Sequence, residues 1–234
     1  VARQVVKRTA KTEAAAAPAR TPAPRAKEKT RTNDPDRTKA DIIEIATHEF
    51  SEKGLSGARI DEIAERTRTS KRMIYYYFES KEGLYRAVLE ACYRRIRTIE
   101  ATLDLENKPP LEALAQNVRF TFDYQLANPD FIRLVMVENI HHGSHIASLS
   151  STQQEGMSSI DTLRGIVERG VREGVMRKDI DPIDLHMSIS ALCFFNVANR
   201  HTFSTIFKLD MTSPAATAAR RESVTEMILR YVAP

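Results

Sequence analysis

The chain has no tryptophan, only two cysteines and only eight glycines among its 234 residues. Cys92 and Cys193 stand far apart in segments of helical pattern, so neither a disulfide framework nor a thiolate metal site is expected, and a reducing cytoplasm suits the protein. No apolar run approaches the ~20 residues that a membrane-spanning helix needs, and no apolar signal core follows Val1. A zinc-protease His-Glu-x-x-His, a nucleophile elbow, a phosphate loop and a dinucleotide glycine pattern are all missing, which removes the common signatures of catalysis. Alternation with period two, the mark of a half-buried strand, is missing as well.

What is present is charge, unevenly spread. The net charge is +4, yet residues 1–32 hold nine basic residues against two acidic ones, leaving 26 against 29 in the remainder. The basic excess is therefore a property of the first 33 residues, which are rich in alanine and proline and nearly empty of large apolar side chains. Such a segment cannot recover its ordering entropy by burial, so a disordered basic tail is expected over 1–33, suited to lying along nucleic-acid phosphates or acting as a solubilising extension.

From Asn33 onward the periodicity is helical. Ile42, Ile45, Ala46 and Phe50 share one face of a first helix over about 36–53, with Asp34 or Asp36 as its N-cap and Gly54 as its stop. Ile60, Ile63 and Ala64 mark a short second helix fading at Thr67, and Ser70 can cap a third over about 70–77. A long fourth helix starts near Ser80, a cap without a full capping box because Gly83 stands where glutamate would complete it, and runs to about Leu105 before Lys108-Pro109-Pro110. Breakers then bound segments at about 110–127, 130–141, 150–173, 182–207 and 214–232. The expectation is an all-α protein of about nine helices: a three-helix domain over 34–83, then a larger helical domain over 84–234.

Two short helices joined by about three residues, with Arg66, Arg68, Lys71 and Arg72 clustered at the joint and no acid between 66 and 78, satisfy the demands of a helix-turn-helix. Its second helix must enter the major groove without presenting a carboxylate to phosphate. Ile74 and Phe78 turn inward, whereas Ser70, Lys71, Met73 and Tyr76 can face outward. Successive positions rotate by about 100°, so Tyr75, Tyr76 and Tyr77 cannot all be core, and tyrosine hydroxyls beside Lys71-Arg72 suit phosphate and sugar contacts. Arg59 and Lys81 flank the unit as further phosphate ligands. The expected DNA-contacting set is Arg59, Arg68, Ser70, Lys71, Arg72, Met73, Tyr75, Tyr76, Tyr77 and Lys81.

The stretch IDEIAERTRTSKRMIYYYFESKEGLYRAVLE, residues 60–90, resembles the signature of the TetR family of bacterial transcription regulators. Ile63-Ala64, Ser70, Ile74-Tyr75, Phe78, Ser80-Lys81-Glu82 and Leu84 fall in that family's pattern and spacing. Thr67-Arg68-Thr69 departs from it: a turn position that usually takes glycine holds arginine, at a cost of about 1 kcal/mol if its φ is positive. Arg59 stands near a position where the family often has a phosphate-binding threonine. The resemblance implies a homodimer formed by the last two helices, a double-stranded DNA operator as partner, a small-molecule effector bound between the middle helices, and no cofactor.

The residues allow those implications. Leu185, Ile189, Leu192, Asn196, Asn199, Phe203 and Ile206 form one stripe of the 182–207 segment and Met187, Ala191, Phe194 and Ala198 another, so this helix needs two partners. Val224, Met227, Ile228, Tyr231 and Val232 give the last helix a comparable strip. Phe120, Tyr124, Phe131, Phe194, Phe195, Asn196 and Asn199 supply the aromatic and amide mixture of a small-molecule site, and equally that of an ordinary core. His141 and His145, four apart, could share a helix face as metal ligands of a helical metalloenzyme, but Gly143 weakens the helix and no metal is expected. A DNA-binding activator or architectural protein without an effector is the other alternative to a ligand-released repressor.

Overall fold

The computed structural model describes residues 34–234, with the backbone alone for 150–153 and 155, and the expected basic tail over 1–33 lies outside the described residues. All regular structure among the described residues is helical. The order is α1 (Pro35–Gly57), α2 (Ile60–Thr67), α3 (Lys71–Phe78), α4 (Lys81–Glu100), α5 (Pro110–Ala127), α6 (Pro129–Ile140), α7 (Ser150–Arg172), α8 (Pro182–Ala198), α9 (Arg200–Phe207) and α10 (Pro214–Val232). Short 3₁₀ turns occupy Ala101–Leu103 and Ile146–Ser148.

The helix starts follow their capping chemistry. Asp34 accepts from the backbone N–H groups of Asp36 and Arg37, Ser70 from Met73, Ser80 from Gly83 and Asp181 from Ile183. Gly54 takes φ 65° and kinks α1 where a stop is expected, and the helix resumes for three residues beyond it. Two boundaries differ from expectation. The 182–207 segment is two helices, broken at Asn199 (φ −106°, ψ 1°), a residue whose side chain competes for local backbone bonds and weakens helix interiors. α4 ends at Glu100 instead of about Leu105: a 3₁₀ turn follows over Ala101–Leu103, and Asp104 then turns left-handed at φ 49° ahead of Leu105, which joins the rear core.

Two apolar clusters organise the chain. The front one joins Ile42, Ala46 and Phe50 of α1, Ile63 and Ala64 of α2 and Ile74 of α3 to Leu84, Tyr85, Val88 and Leu89 of α4, and it also takes Leu134 of α6. The rear one gathers Leu114 and Val118 of α5, Leu163 and Ile166 of α7, Leu185 and Ile189 of α8, and Val224 and Ile228 of α10. α4 therefore runs from the front cluster, which it leaves after Cys92, to a buried Ile96 farther along, and α6 packs along α1. Any shift of α6 is felt directly beneath α1.

Candidate nucleic-acid interface and inner cavities

The joint between α2 and α3 is built from backbone bonds that the sequence forces. Arg68 adopts φ 53°, ψ 37°, so the residue standing in the usual glycine position does occupy the left-handed region. Its N–H and that of Thr69 close onto the Ala64 and Glu65 carbonyls. Ser70 then caps α3, spending its hydroxyl on the Met73 N–H at 3.2 Å. Ile74 is fully buried and Phe78 packs against the front cluster, which fixes the rotation of α3 about its axis.

That rotation decides which expected residues reach solvent. Tyr76 is 75% exposed and Tyr75 44%, while Met73 and Tyr77 are half-buried. Tyr77 lies edge-on to Tyr76 and Phe78 and under the Lys39 ammonium, 5.4 Å from its ring centroid. Arg68 and Arg72 are exposed and make no ion pair among the described residues. Lys71 instead pairs with Asp61, Arg59 lies 3.9 Å from Asp61 and from Glu62, and Lys81 donates to the Ser56 carbonyl at 3.2 Å. The face holds a cationic and aromatic surface, partly neutralised at its α2 edge.

One positioning residue escaped the sequence reading. Glu49 of α1 is 3% exposed, accepts from the Arg59 N–H at 3.1 Å and pairs with Lys53 at 2.9 Å, so it holds the entry to α2. A carboxylate three residues after Ala46, on the buried face of α1, was the available signal. Lys53 also pairs with Glu62, whose carboxyl this ammonium holds below its usual range.

The seven expected pocket residues do not converge. Phe120, Phe131 and Phe194 line a cavity of about 200 Å³ between α4, α5, α6 and α8, together with Arg97, Glu100, Asn117, Gln125 and His186. There Arg97 pairs with Glu100, which also accepts from Asn117 at 3.0 Å, while Gln125 Oε1 and Arg97 Nε are buried without a partner. Burial and the nearby Arg97 charge push His186 below the usual imidazole value. Tyr124 and Phe131 border a wider crevice of about 510 Å³ between α1, α4, α5 and α6. Phe195 and Asn196 line a third cavity, and Asn199 caps α8 without lining any of the three. The scatter arises because adjacent positions such as Phe194 and Phe195 face different sides of one helix.

Of the two histidines, His145 is tied into structure and His141 is exposed. His145 Nδ1 lies 2.8 Å from Glu138 Oε1, and Glu138 Oε2 accepts from the backbone N–H groups of His145 and Ile146 at 3.3 Å each. Glu138 is 1% exposed and close to the Tyr85 hydroxyl, which burial and that carboxylate push to a higher pKa. The carboxylate thus anchors the turn after α6, and the His141 ring stands 6.3 Å from that of His145, centroid to centroid.

Known proteins share this arrangement. The family model described as bacterial regulatory proteins, tetR family, matches residues 42–88, and the tetracyclin repressor-like C-terminal domain matches residues 110–228. The chain is 34% identical to the HTH-type transcriptional repressor NicS of Pseudomonas putida over 200 residues, covering 86% of this chain and 94% of that one. It is 33% identical to the HTH-type transcriptional repressor SCO4008 of Streptomyces coelicolor over 141 residues, 59% of this chain and 69% of that one. Among solved structures, the putative transcriptional regulator SCO4942 of Streptomyces coelicolor superposes with a TM-score of 0.63 at 26% identity, over 83% of this chain and 98% of that one. The ketosteroid regulator KstR2 of Mycobacterium tuberculosis has the same fold, with a TM-score of 0.64 at 16% identity over 87% of this chain and 97% of that one. With both halves matched and a repressor aligned along nearly its whole length, the chain belongs to the TetR family of transcriptional regulators.

Proposed function

We propose that this protein is a homodimeric repressor that holds its operator through α3 and releases it when a small effector enters the cavity beneath α4. The observation that carries the reading is the polarity of α3: Ile74 is sealed in the front cluster while Tyr75, Tyr76 and Arg72 stand out from it. A helix so mounted can enter a major groove with its apolar side still packed, and two copies on one DNA face would reach successive grooves roughly 34–36 Å apart.

Support for the dimer comes from α8 and α10. Ile183, Met187, Ala191 and Phe195, spaced by four, form an exposed apolar stripe on α8, and Met227 and Tyr231 continue it on α10. Apart from Phe195, whose ring meets Phe203 of α9, core packing does not use this stripe, so a second copy would cover it. Support for the effector comes from the α4–α8 cavity, where Gln125 offers an acceptor and Arg97 a donor that the protein leaves unpaired. α4 joins this cavity to the front cluster, and an allosteric coupling of about 1–3 kcal/mol along it would change operator affinity roughly 5- to 150-fold. The action would be cytoplasmic, on chromosomal DNA. Among the described residues no helix is long and apolar enough to cross a membrane.

Footprinting on the DNA upstream of the protein's own gene tests the reading. A protected site lost with Arg72→Ala and Tyr76→Ala, in protein that melts like the unaltered chain, is the expected result. Unchanged protection by both variants would move the DNA face away from α3.

A further inference from the structure

Behind α9 lies a third cavity, of about 290 Å³, bounded by α5, α8, α10 and the segment after α9. Its walls are mostly apolar, with Phe122, Leu126, Phe195, Phe203 and Leu209 prominent, and one guanidinium, that of Arg220, stands on it. Asn196, 8% exposed, donates its amide to the Leu192 and Cys193 carbonyls at 2.6 and 3.3 Å, which locks the group and aims Oδ1 at Arg220 Nε, 3.3 Å away. The carboxylates nearby are taken by other cations: Asp123 by Arg221 at 3.0 Å and Glu222 by Arg119 at 2.7 Å. Arg220 has no ion pair among the described residues.

A half-buried cation beside apolar walls costs desolvation that no protein carboxylate repays. With Nε held by Asn196, the two terminal nitrogens are left to a ligand, in the fork geometry that matches a carboxylate. α9, which closes one side, buries no residue fully and is joined to the cavity through the Phe195–Phe203 edge contact at 5.5 Å. We infer that this cavity takes a small apolar monocarboxylate, its anionic end on Arg220 and its body between the phenylalanines, fastening α9 onto the bundle. The site is separate from the α4–α8 cavity and does not depend on the repressor reading.

The chain has no tryptophan, so Leu209→Trp at the rim gives a single tryptophan whose emission can be excited apart from that of the tyrosines. The full-length variant is titrated with phenylacetate, octanoate and their amides, and the unaltered protein is melted with each. Saturable fluorescence change and a raised Tm are expected for the carboxylates, with the amides at least about tenfold weaker. Arg220→Gln should erase this preference, whereas Arg230→Gln, exposed on the same helix, should keep it. Amides binding as tightly as carboxylates, or no saturable binding of any probe at millimolar concentration, would overturn the inference. The carboxylate-to-amide comparison needs no change at Arg220 and so stands even if Arg220→Gln fails to fold.

Discussion

The Lys71 ammonium pairs with the Asp61 carboxylate, tying the first turn of α3 to the first turn of α2. Both groups are about half exposed, so the pair contributes little stability, but it masks a cation on the face proposed to meet DNA. Opening it on phosphate would exchange one carboxylate partner for another anion at small cost.

Lys71→Ala should therefore weaken operator binding about equally for all sequences and lower the slope of log affinity against log salt by about 1. Asp61→Asn should do the opposite, freeing Lys71 and removing a repulsive charge. Fluorescence anisotropy across a salt series reads both. A salt slope untouched by either change would place Lys71 away from the phosphates.

Side-chain burial separates folding from binding on α3. Ile74→Ala removes a fully buried side chain and should cost about 2–5 kcal/mol of stability, visible in a denaturant melt. Tyr76→Ala, at a position 75% exposed, should leave the melt within about 0.5 kcal/mol and weaken DNA binding by about 1–3 kcal/mol.

Gly83 lies where α4 begins, and a Cβ there would overlap the Phe78 backbone carbonyl. Neither group can move without unwinding the α3–α4 junction. Gly83→Ala should destabilise the fold by about 1–3 kcal/mol and loosen α3, measured as a lower Tm together with faster amide exchange over 71–83.

His186 gives a pH dependence of definite sign. Above its ordinary value of 6.5 the imidazole is neutral in folded and unfolded chains alike, and nothing is lost. As pH falls below 6.5 the unfolded chain takes up a proton that the buried ring refuses, so stability declines until the depressed folded pKa is passed. His186→Gln should remove this component, so the Tm of the variant relative to that of the unaltered protein should rise from neutral pH toward mild acid.

Burial pushes the Cys193 thiol up to about 12 and that of Cys92 to about 11. Both are neutral near pH 8 and should react with a thiol-specific chromogenic disulfide far more slowly in the native protein than in denaturant. Rapid native labelling of Cys193 would show that α8 opens on the time scale of the assay.

Much of the front unit was legible because its signals are local. Asp34, Ser70 and Ser80 cap the helices that follow them, Ile60, Ile63 and Ala64 in α2 and Ile74 and Phe78 in α3 repeat at helical spacing, and the strained Arg68 sits one residue past the end of α2. Capping and periodicity act over a turn or two, so adjacent residues suffice to read them. The break at Asn199 was less legible, since a single asparagine is tolerated inside many helices and only the packing of α9 reveals that the chain bends there.

The sequence by itself determined the helical class and the front motif, because each follows from side-chain chemistry at fixed spacing along one helix; which of the three tyrosines face outward it left open. Tertiary structure alone decided that Lys71 answers to Asp61, that Glu138 holds the turn at His145, and that Phe194 and Phe195 face different cavities. Those relations depend on how helices distant in sequence rotate and pack against one another, and it is the shape of the whole core, not any short stretch of residues, that sets those rotations.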